Sequence, residues 1–263
     1  LNKNFKEISN LQDLNFDKKL EIIKDFDHNY IFLVNGKLNS SNFNYEDESQ
    51  ILIKNYSEKN AVNLESNTSL HFLNNALFSG GFYLEIKKDY IFKKPLIVYN
   101  YFLDNLNNII LNDKNVIKLD EGSQLTLIEY NLNKSKICFI KNTEDTVSLD
   151  KNANLKNIII QNSKSDGHFY KYLKVFLSEN SKYENYNLSS GLKFNKIEID
   201  ADLDKEHSVC NLYSALNLTK DEHQEIQTRI NHKAPNCKSY QKIKNVLNAN
   251  SKGVYQGKVF IEK

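Results

Sequence analysis

Apolar residues in the middle of the chain recur in a repeating unit. A heptapeptide that begins with leucine occurs four times, at intervals of 30, 28 and 26 residues, as Leu119–Leu125, Leu149–Leu155, Leu177–Tyr183 and Leu203–Val209. An apolar or small residue stands two positions before each leading leucine: Ile117, Val147, Val175 and Ala201. Another apolar residue follows nine positions after it: Ile128, Ile158, Tyr186 and Leu212. Intervals of about 20–50 residues are typical of proteins built from stacked repeats.

Each repeat unit predicts a strand, a turn and a second strand. Alternating apolar positions point to one side of an extended chain, and the Gly or Asn in the centre tolerates the positive φ of a turn. Because such a unit cannot bury its own apolar side, the units must stack on one another. We therefore predict an all-β fold, a right-handed parallel β-helix (β-solenoid). An antiparallel β-sandwich is the alternative.

Polar residues also recur within the units. The aspartates at the turns (Asp120, Asp150 and Asp204) fit turn chemistry better than acid–base catalysis. Eight positions after the leading leucine, three of the four units have an asparagine: Asn157, Asn185 and Asn211, with Leu127 in the first unit. Stacked asparagines can hydrogen-bond to one another as a ladder. Since asparagine is abundant throughout the chain, simple composition is an equal explanation.

The N-terminal part follows a different pattern. Asn35-Gly36 between two apolar runs indicates a type I′ hairpin. Further along, apolar residues recur at helical spacing, at Leu70, Leu73, Ala76 and Leu77. We expect this helix to be capped at Ser66 or Asn67 and to end at Gly80-Gly81. We predict a small mixed α/β cap over residues 1–90 and the β-helix core over residues 91–263. A cap is needed because an open first coil would expose apolar core and unpaired strand edges.

Composition excludes several classes of function. A net charge of +2 with 26% charged residues gives no reason to expect a nucleic-acid or membrane partner. No apolar run approaches the ~18 residues that would span a bilayer. Three widely spaced cysteines without a C-x-x-C pair favour reduced thiols and a cytoplasmic location.

The most characteristic segment of the chain runs from His232 to Val259. Its first part contains His232, Pro235, Asn236, Cys237, Ser239, Gln241 and Lys244. Its last part is Gly253-Val-Tyr-Gln-Gly257-Lys-Val. This series resembles the signature segment of the SufB/SufD family, the scaffold proteins of an iron–sulfur cluster assembly machine, and within that family it is most similar to SufD. A weaker similarity in His71–Phe78, Gly80-Gly81 and Leu84–Ile86 extends the resemblance to residues 68–263.

The resemblance implies a non-catalytic scaffold subunit of an iron–sulfur cluster assembly complex. Its implied partners are a SufB-like paralogue, which pairs through the β-helix cores, and a SufC-like ABC-type ATPase, which docks on a helical C-terminal domain. The iron–sulfur cluster would form transiently in the complex, and the chain alone would hold no cofactor. SufD proteins continue past the position of Lys263, and the histidine that the family uses lies there. We therefore expect this chain to be a fragment that lacks the C-terminal helical domain.

His232 and Cys237 are the most evident candidate metal ligands. A transition-metal or cluster site needs three or four ligands, and the next candidates, Cys210 and His207, lie about one coil away. Stacking at ~4.8 Å between strands would bring them near. A buried thiol is more commonly a packing group, and a histidine beside a turn is more commonly hydrogen-bonded. We therefore predict no metal ligands, no catalytic residues, and structural or partner-facing roles for the motif positions, Gly253 and Gly257 included.

Motifs for catalysis are also lacking in the sequence. There is no G-x-x-x-x-G-K-[ST] loop, so any nucleotide hydrolysis must come from a partner. There is no G-x-S-x-G nucleophile elbow. The alternative function is a carbohydrate-active or adhesive β-helix, which requires aspartates with lysine or arginine on an outer face and usually secretion. The single arginine, Arg229, disfavours that alternative.

Overall fold

The computed structural model describes residues 6–7, 22–57, 69–103, 106–132, 138–162 and 165–262. These residues contain 17 strands, one α-helix, α1 (Ser69–Leu77), and a 3-10 turn at Glu48–Gln50. The strands are β1 (Lys6–Glu7), β2 (Asn29–Val34), β3 (Lys37–Asn42), β4 (Ile51–Asn55), β5 (Phe82–Ile86), β6 (Leu96–Tyr101), β7 (Ile109–Leu119), β8 (Gln124–Leu132), β9 (Ile140–Leu149), β10 (Asn154–Gln161), β11 (Ser165–Leu177), β12 (Lys182–Ser189), β13 (Leu192–Leu203), β14 (Val209–Leu218), β15 (His223–His232), β16 (Lys238–Leu247) and β17 (Lys252–Ile261).

From β6 onwards, successive strands alternate between two sheets. Sheet A has the order β17-β15-β13-β11-β9-β7-β5-β4, with β1 paired to β7, and sheet B has the order β16-β14-β12-β10-β8-β6-β2-β3. One strand from each sheet forms a coil, so that β6–β7 through β16–β17 make about six coils. Neighbouring strands of successive coils are parallel throughout. The predicted all-β parallel β-helix is confirmed.

The N-terminal strands combine parallel stacking with antiparallel edges. β2 pairs in parallel with β6, and β5 pairs in parallel with β7. Outside them, β3 pairs antiparallel with β2 and β4 pairs antiparallel with β5. The β2–β3 hairpin turns at Asn35 (φ +49°) and Gly36 (φ +78°), which confirms the hairpin signal. Parallel stacking thus begins within the predicted N-terminal cap, and a domain boundary at residue 90 stays a prediction.

The four leading leucines form one inward column, as the repeat predicts. Leu119 pairs with Leu149, Leu149 with Leu177, and Leu177 with Leu203. Each of these side chains is at most 2% exposed. The column two positions earlier is also buried and consists of Ile117, Val147, Val175 and Ala201. The turns that follow have positive φ at Gly122 (+72°), Asn152 (+59°) and Asn180 (+55°), where glycine and asparagine are the least strained residues.

The later turns are one residue longer than the first three. Positive φ occurs three positions after the leading leucine in the first three turns. It occurs four positions after Leu203, at His207 (φ +60°), and four positions after His232, at Asn236 (φ +61°). The extra residue shifts every following side chain by one position relative to the repeat. Since side chains alternate between the two sides of a strand, this shift exchanges inward and outward positions.

Of the two explanations for the recurring asparagines, the three-membered ladder does not form, because this shift removes Asn211 from the column. Asn185 pairs with Leu212 in the next coil, and Asn211 lies on the outer side of the strand. Asn157 and Asn185 are stacked and buried. Their amide groups donate to the hydroxyl of Tyr183, at 3.5 and 3.2 Å, rather than to each other. The shared feature of these two positions is therefore a common tyrosine acceptor and not an amide ladder.

The apolar residues nine positions after the leading leucines do not form a buried column. In the first three units they lie in register on the outer side of sheet B and are half-buried: Ile128, Ile158 and Tyr186. In the fourth unit the register partner is Tyr213, because of the longer turn. The buried column on the inner side lies one position earlier, at Leu127, Asn157, Asn185 and, in the fourth coil, Leu212.

Helix α1 packs on β7 and β9 through polar side chains. Its Asn74 amide donates to the backbone carbonyls of Asp113 and Asn142, at 3.1 and 2.8 Å. Its His71 Nδ1 lies 2.6 Å from Glu144 Oε2. His71 and Asn74 are buried, whereas the residues of the apolar pattern are half-buried or exposed: Leu70, Leu73, Ala76 and Leu77. The pattern located the helix but not its buried side. The two candidate caps, Ser66 and Asn67, lie outside the described residues.

Candidate functional site

The motif segment forms the last turn and the last coil of the described solenoid. It begins at the end of β15, passes through the turn before β16 and ends in β17. Among the described residues, β16 is the last strand of sheet B and β17 is the last strand of sheet A. The motif side chains therefore line a coil that the described chain covers on one side only.

His232 replaces the leucine of the inward column. It pairs with Leu203 on one side and with Ile261 on the other. Its Nε2 lies 2.9 Å from Ser239 Oγ on β16, so the imidazole links the two sheets. Burial lowers the pKa of His232, although a hydrogen bond with the backbone of Cys237 partly offsets this effect. The neutral imidazole is therefore favoured at neutral pH.

Cys237 occupies a column of small residues next to the turns. The successive members are Ser123, Ala153, Ser181, Ser208 and Cys237, joined by backbone hydrogen bonds from each following residue to the preceding coil. The Cys237 Sγ lies 3.2 Å from Ser208 Oγ and 3.3 Å from the carbonyl of Lys205. It is half-buried and packs against the main apolar core. The thiol thus occupies the place that serine or alanine has in the earlier coils.

Pro235 and Asn236 form the turn between β15 and β16. Asn236 has positive φ at the position where His207 has it one coil earlier. Asparagine is one of the few residues with a side chain that adopts this conformation readily. In that earlier turn, His207 lies at the surface, where its side chain is 55% exposed and lies 3.9 Å from Glu206. His207 thus occupies the positive-φ position of its turn, and the prediction that it is not a metal ligand stays a prediction.

Gln241 is the centre of a hydrogen-bond network inside the last coil. Its Oε1 accepts from the hydroxyls of Thr228, at 2.5 Å, and Tyr255, at 2.8 Å. A Cβ at Gly257 would lie only 2.4 Å from the Tyr255 hydroxyl, so glycine is required for this arrangement. Gly253 approaches Leu247, whose Cδ2 would lie 3.1 Å from an added Cβ. Both glycines therefore leave room for neighbouring side chains of the last coil.

The four candidate metal ligands occupy distinct structural environments. Cys210 is fully buried between Tyr183 and Ser239, and burial raises the pKa of its thiol to about 12. Such a thiol is protonated at neutral pH. Within the described ranges, no three side chains of His, Cys, Asp or Glu come together in a way that could hold a metal ion.

A buried ionic cluster lies inside the solenoid, and the sequence patterns above do not predict it. The Nζ of Lys171 contacts Glu129 Oε2 and lies 2.6 Å from Asp145 Oδ2. Asn157 donates to Glu129 at 3.0 Å, and Asn115 donates to Asp145 at 2.8 Å. The three charged side chains are between 3% and 12% exposed. We call Glu129, Asp145 and Lys171 the ionic cluster.

The charges of the ionic cluster shift one another's protonation. Burial alone would lower the pKa of Lys171, but Asp145 and Glu129 hold it above its ordinary value. Burial would raise the pKa of Glu129, but Lys171 and Asn157 hold it below its ordinary value. Burial, with the charge of Glu129, raises the pKa of Asp145 to about 6 despite the attraction of Lys171. The cluster thus consists of a lysinium, a carboxylate and a second carboxyl group that titrates in the mildly acidic range.

The repeat contains one signal for the ionic cluster. Counting back in steps of two from the leading leucine of the second unit gives Val147, Asp145, Thr143 and Lys141, and all of them are buried. The alternation alone therefore assigns charged residues to the inner side. Charged side chains are rarely buried without a partner, and it is the partner, on another strand, that the sequence does not reveal.

A comparison with known proteins identifies the family. A family model described as "SUF system FeS cluster assembly, SufBD core domain" matches residues 101–263. The match includes the leucine repeats, the ionic cluster and the whole motif segment. A search of curated proteins found no match. In the part of the chain that the structure describes, no helix is long and apolar enough to cross a membrane. Since the family model covers more than half of the chain, the chain belongs to the SufBD core-domain family of the SUF iron–sulfur cluster assembly system.

Proposed function

We propose that this chain is the core of a SufD-like, non-catalytic scaffold subunit that pairs with a SufB-like paralogue through the coil that carries the motif, the last one that the structure describes. The observation that carries the proposal is the convergence of the motif on that coil. His232, Ser239, Gln241 and Gly257 lie at its inward positions, and Cys237 lies beside its turn. Similarity to SufD rather than SufB rests on Pro235, Cys237, Gln241 and the Gly253–Val259 sequence.

Within the described residues, the last coil presents apolar side chains and strand edges that no other described strand covers. Three apolar side chains that the register places at inward positions are unusually exposed: Tyr255 by 41%, Val259 by 49% and Ile261 by 75%. Strands at the end of a sheet also present unpaired backbone N–H and C=O groups. A partner that adds its own strands to β16 and β17 would cover the apolar side chains and satisfy the backbone groups together.

In this proposal the iron–sulfur cluster is cargo that forms transiently in the complex. A SufC-like ATPase supplies nucleotide hydrolysis, since the chain has no nucleotide-binding loop. The chain contributes a rigid edge and a neutral imidazole, His232, close to the proposed interface. A cytoplasmic location is supported by the three unpaired cysteines, Cys138, Cys210 and Cys237. No observation favours a carbohydrate-active or adhesive function.

The experiment is co-purification from cells that express the full-length protein with its SufB-like paralogue and ATPase. In one variant, Val259→Asp and Ile261→Asp together place charges on the exposed inner side of the last coil. The matched control is Phe72→Asp, an apolar residue on α1 that is 58% exposed. We expect about tenfold less SufB-like protein with the double variant, because burying unpaired carboxylates at an interface costs several kcal/mol. The control retains the partner.

Circular dichroism and thermal unfolding establish that both variants are folded before the comparison is made. Equal recovery of the SufB-like protein with the double variant and the control contradicts pairing through the last coil. The purified full-length protein alone is expected to hydrolyse no ATP. ATP turnover that stays with the protein through further purification contradicts the non-catalytic role.

A further inference from the structure

Two neighbouring apolar columns run along the outer side of sheet B. The first column runs from β8 to β14 and consists of Ile128, Ile158, Tyr186 and Tyr213. The second column runs from β8 to β12 and consists of Tyr130, Ile160 and Leu188. The rings of Tyr186 and Tyr213 stack at 4.8 Å. Leu188 is 46% exposed and the others are half-buried. We call these seven residues the outer apolar face.

The chain itself covers the same two columns at their N-terminal end. In β6 the columns continue as Ile97 and Tyr99, and both are fully buried. Residues 22–28 account for this burial, since Ile23 packs against Tyr99 and donates its N–H to the Tyr99 hydroxyl at 2.9 Å. His28 also lies 2.9 Å from that hydroxyl. The covered part and the outer apolar face are thus one continuous surface, of which the described residues cover only the first coil.

Lysines border the outer apolar face. At the C-terminal end, the two columns finish at Lys242 and Lys244 on β16. The outward positions of β8, β10, β12, β14 and β16 contain one acidic residue, Glu184, and five lysines: Lys156, Lys182, Lys238, Lys242 and Lys244. Within the described chain, no carboxylate pairs with Lys238, Lys242 or Lys244. On sheet A, by contrast, Lys174 pairs with Asp200 at 3.0 Å and Lys196 pairs with Glu198 at 2.7 Å.

We propose that the outer apolar face is a docking site for an amphipathic helix of a partner protein, with carboxylates at the end of the helix that lies over Lys242 and Lys244. With ~4.8 Å between strands, the first column extends over ~14 Å from β8 to β14, and Lys242 on β16 lies at ~19 Å. A helix that rises 1.5 Å per residue covers this length with about 10–13 residues. Positions two apart along a strand are ~6.6 Å apart, so the two columns together are wide enough for the apolar side of one helix. The assignment gives Lys244, a motif residue outside the last-coil interior, a binding role.

The test measures binding of a labelled synthetic peptide to the full-length protein by fluorescence anisotropy. The peptide has 13 residues, with Leu at helical spacing on one side and three Glu at one end. Two matched peptides have the same composition in scrambled order, or Lys in place of Glu. We expect both to bind at least tenfold more weakly than the acidic amphipathic peptide. Its affinity is expected to fall as salt is raised, since the lysines are exposed.

Protein variants locate the binding surface. Leu188→Glu and Lys244→Glu are each expected to weaken binding of the acidic peptide about tenfold. The matched controls are Phe72→Glu, on α1, and Lys258→Glu, an exposed lysine on sheet A. Both controls are expected to bind as the unchanged protein does. Thermal unfolding shows whether each variant is folded, and Leu188→Ala serves as a milder second variant if Leu188→Glu is not.

Three results overturn the proposal. The first is equal binding of the acidic and scrambled peptides, or binding that neither variant changes. The second is binding of phosphatidylserine vesicles that Leu188→Glu abolishes, without peptide binding, which assigns the face to a membrane surface. The third is a concentration-dependent dimer in sedimentation that Leu188→Glu converts to monomer, which assigns the face to a second copy of the chain.

Discussion

The two halves of the solenoid interior solve the problem of burial in opposite ways. Beside the turns, the leucine column and its neighbours fill the coil with aliphatic side chains that are almost fully buried. Further along the same strands, Glu129, Asp145 and Lys171 bring charges into the coil. The first half gains from removing apolar surface from water, at about 1.5–3 kcal/mol for each large side chain. In the second half, burial of a lone charge would cost free energy, and the charges are tolerated only because they pair with one another.

This difference predicts different responses to substitution. In the aliphatic half, each side chain makes many weak contacts with its neighbours, so truncation costs scale with the cavity that is left. In the ionic half, one lost partner leaves the other charges buried without compensation. Replacement of the whole ionic cluster by apolar residues of similar volume is a milder change than removal of one member.

The largest effect is expected for Lys171→Met. This variant leaves Glu129 and Asp145 close together inside the coil without a cation, and we expect the free energy of unfolding to fall by about 3–5 kcal/mol. Urea denaturation at pH 7 measures the change. The control is Lys118→Met, which removes a lysine that is 42% exposed and pairs with Glu85 and Asp120. An exposed pair contributes at most about 1 kcal/mol. Similar losses in the two variants would show that the ionic cluster is as well solvated as the surface.

In the aliphatic half, Leu149→Ala is expected to cost about 2–5 kcal/mol, because the leucine is enclosed by Leu119, Leu177 and their neighbours and the coil cannot collapse into the cavity. Denaturation by urea again gives the change. Leu188→Ala is the matched control, since this leucine lies on the outer side of sheet B and is 46% exposed; we expect a change within about 0.5 kcal/mol. A loss of similar size at both positions would contradict the assignment of the inward column.

The ionic cluster also predicts a dependence on pH that the aliphatic half lacks. Burial raises the pKa of Asp145 from 3.8 to about 6, so the folded state holds this proton more tightly than the unfolded state. The resulting stability is present below about pH 4 and is lost as the pH rises through about 6. Asp145→Asn cannot lose this proton. The stability of the variant relative to the unchanged protein should therefore increase by about 1–3 kcal/mol between pH 4 and pH 7.

Chemical denaturation at pH 4, 5, 6 and 7 measures this relative stability. Leu149→Ala provides the comparison from the aliphatic half, and its difference from the unchanged protein should be the same at each pH. A constant difference for Asp145→Asn would mean that the Asp145 carboxyl titrates at its ordinary pKa in the folded protein.

The aliphatic half was predictable from the sequence, whereas the ionic half was not. The leucine repeat shows the alternation of apolar and polar residues that predicts stacked strands. Its turn residues predict positive φ, and Gly122, Asn152 and Asn180 have this conformation. These signals are local. The partnership of Lys171 with Glu129 and Asp145 joins residues 42 and 26 positions apart on three strands, so only the stacking register reveals it. The alternation places Asp145 on the inner side, but it does not reveal which residues partner its charge.

Register also decided which details of the repeat were correct. One extra residue in the turn at His207 exchanged the inner and outer positions of β14, which removed Asn211 from the asparagine column. The same exchange placed Tyr213 on the outer apolar face next to Tyr186. The motif was recognisable from the sequence because its residues are specific, but their convergence on one coil became visible only in the structure.

The smallest effect is expected at the boundary between the two modes of packing, in the column of small residues that ends at Cys237. Three earlier members of this column are serines, and the hydroxyls of Ser123 and Ser181 donate to backbone carbonyls of their own turns. A serine at position 237 has the same kind of acceptor available, since the Cys237 thiol already lies 3.3 Å from the Lys205 carbonyl. We expect Cys237→Ser to change stability by less than about 1 kcal/mol. Co-purification with the SufB-like paralogue and the ATPase should be retained.

Formation of the iron–sulfur cluster in the assembled complex distinguishes a packing role of Cys237 from a role as a metal ligand. Iron and sulfide content and visible absorption are measured on complexes with Cys237 and with Cys237→Ser, with Cys210→Ser as a second thiol variant. If Cys237 is a packing group, the complex with Cys237→Ser accumulates the cluster as the unchanged complex does. If the complex assembles but forms no cluster, the thiol is a ligand, and the similarity of its column to Ser123 and Ser181 reflects only the space available beside the turn.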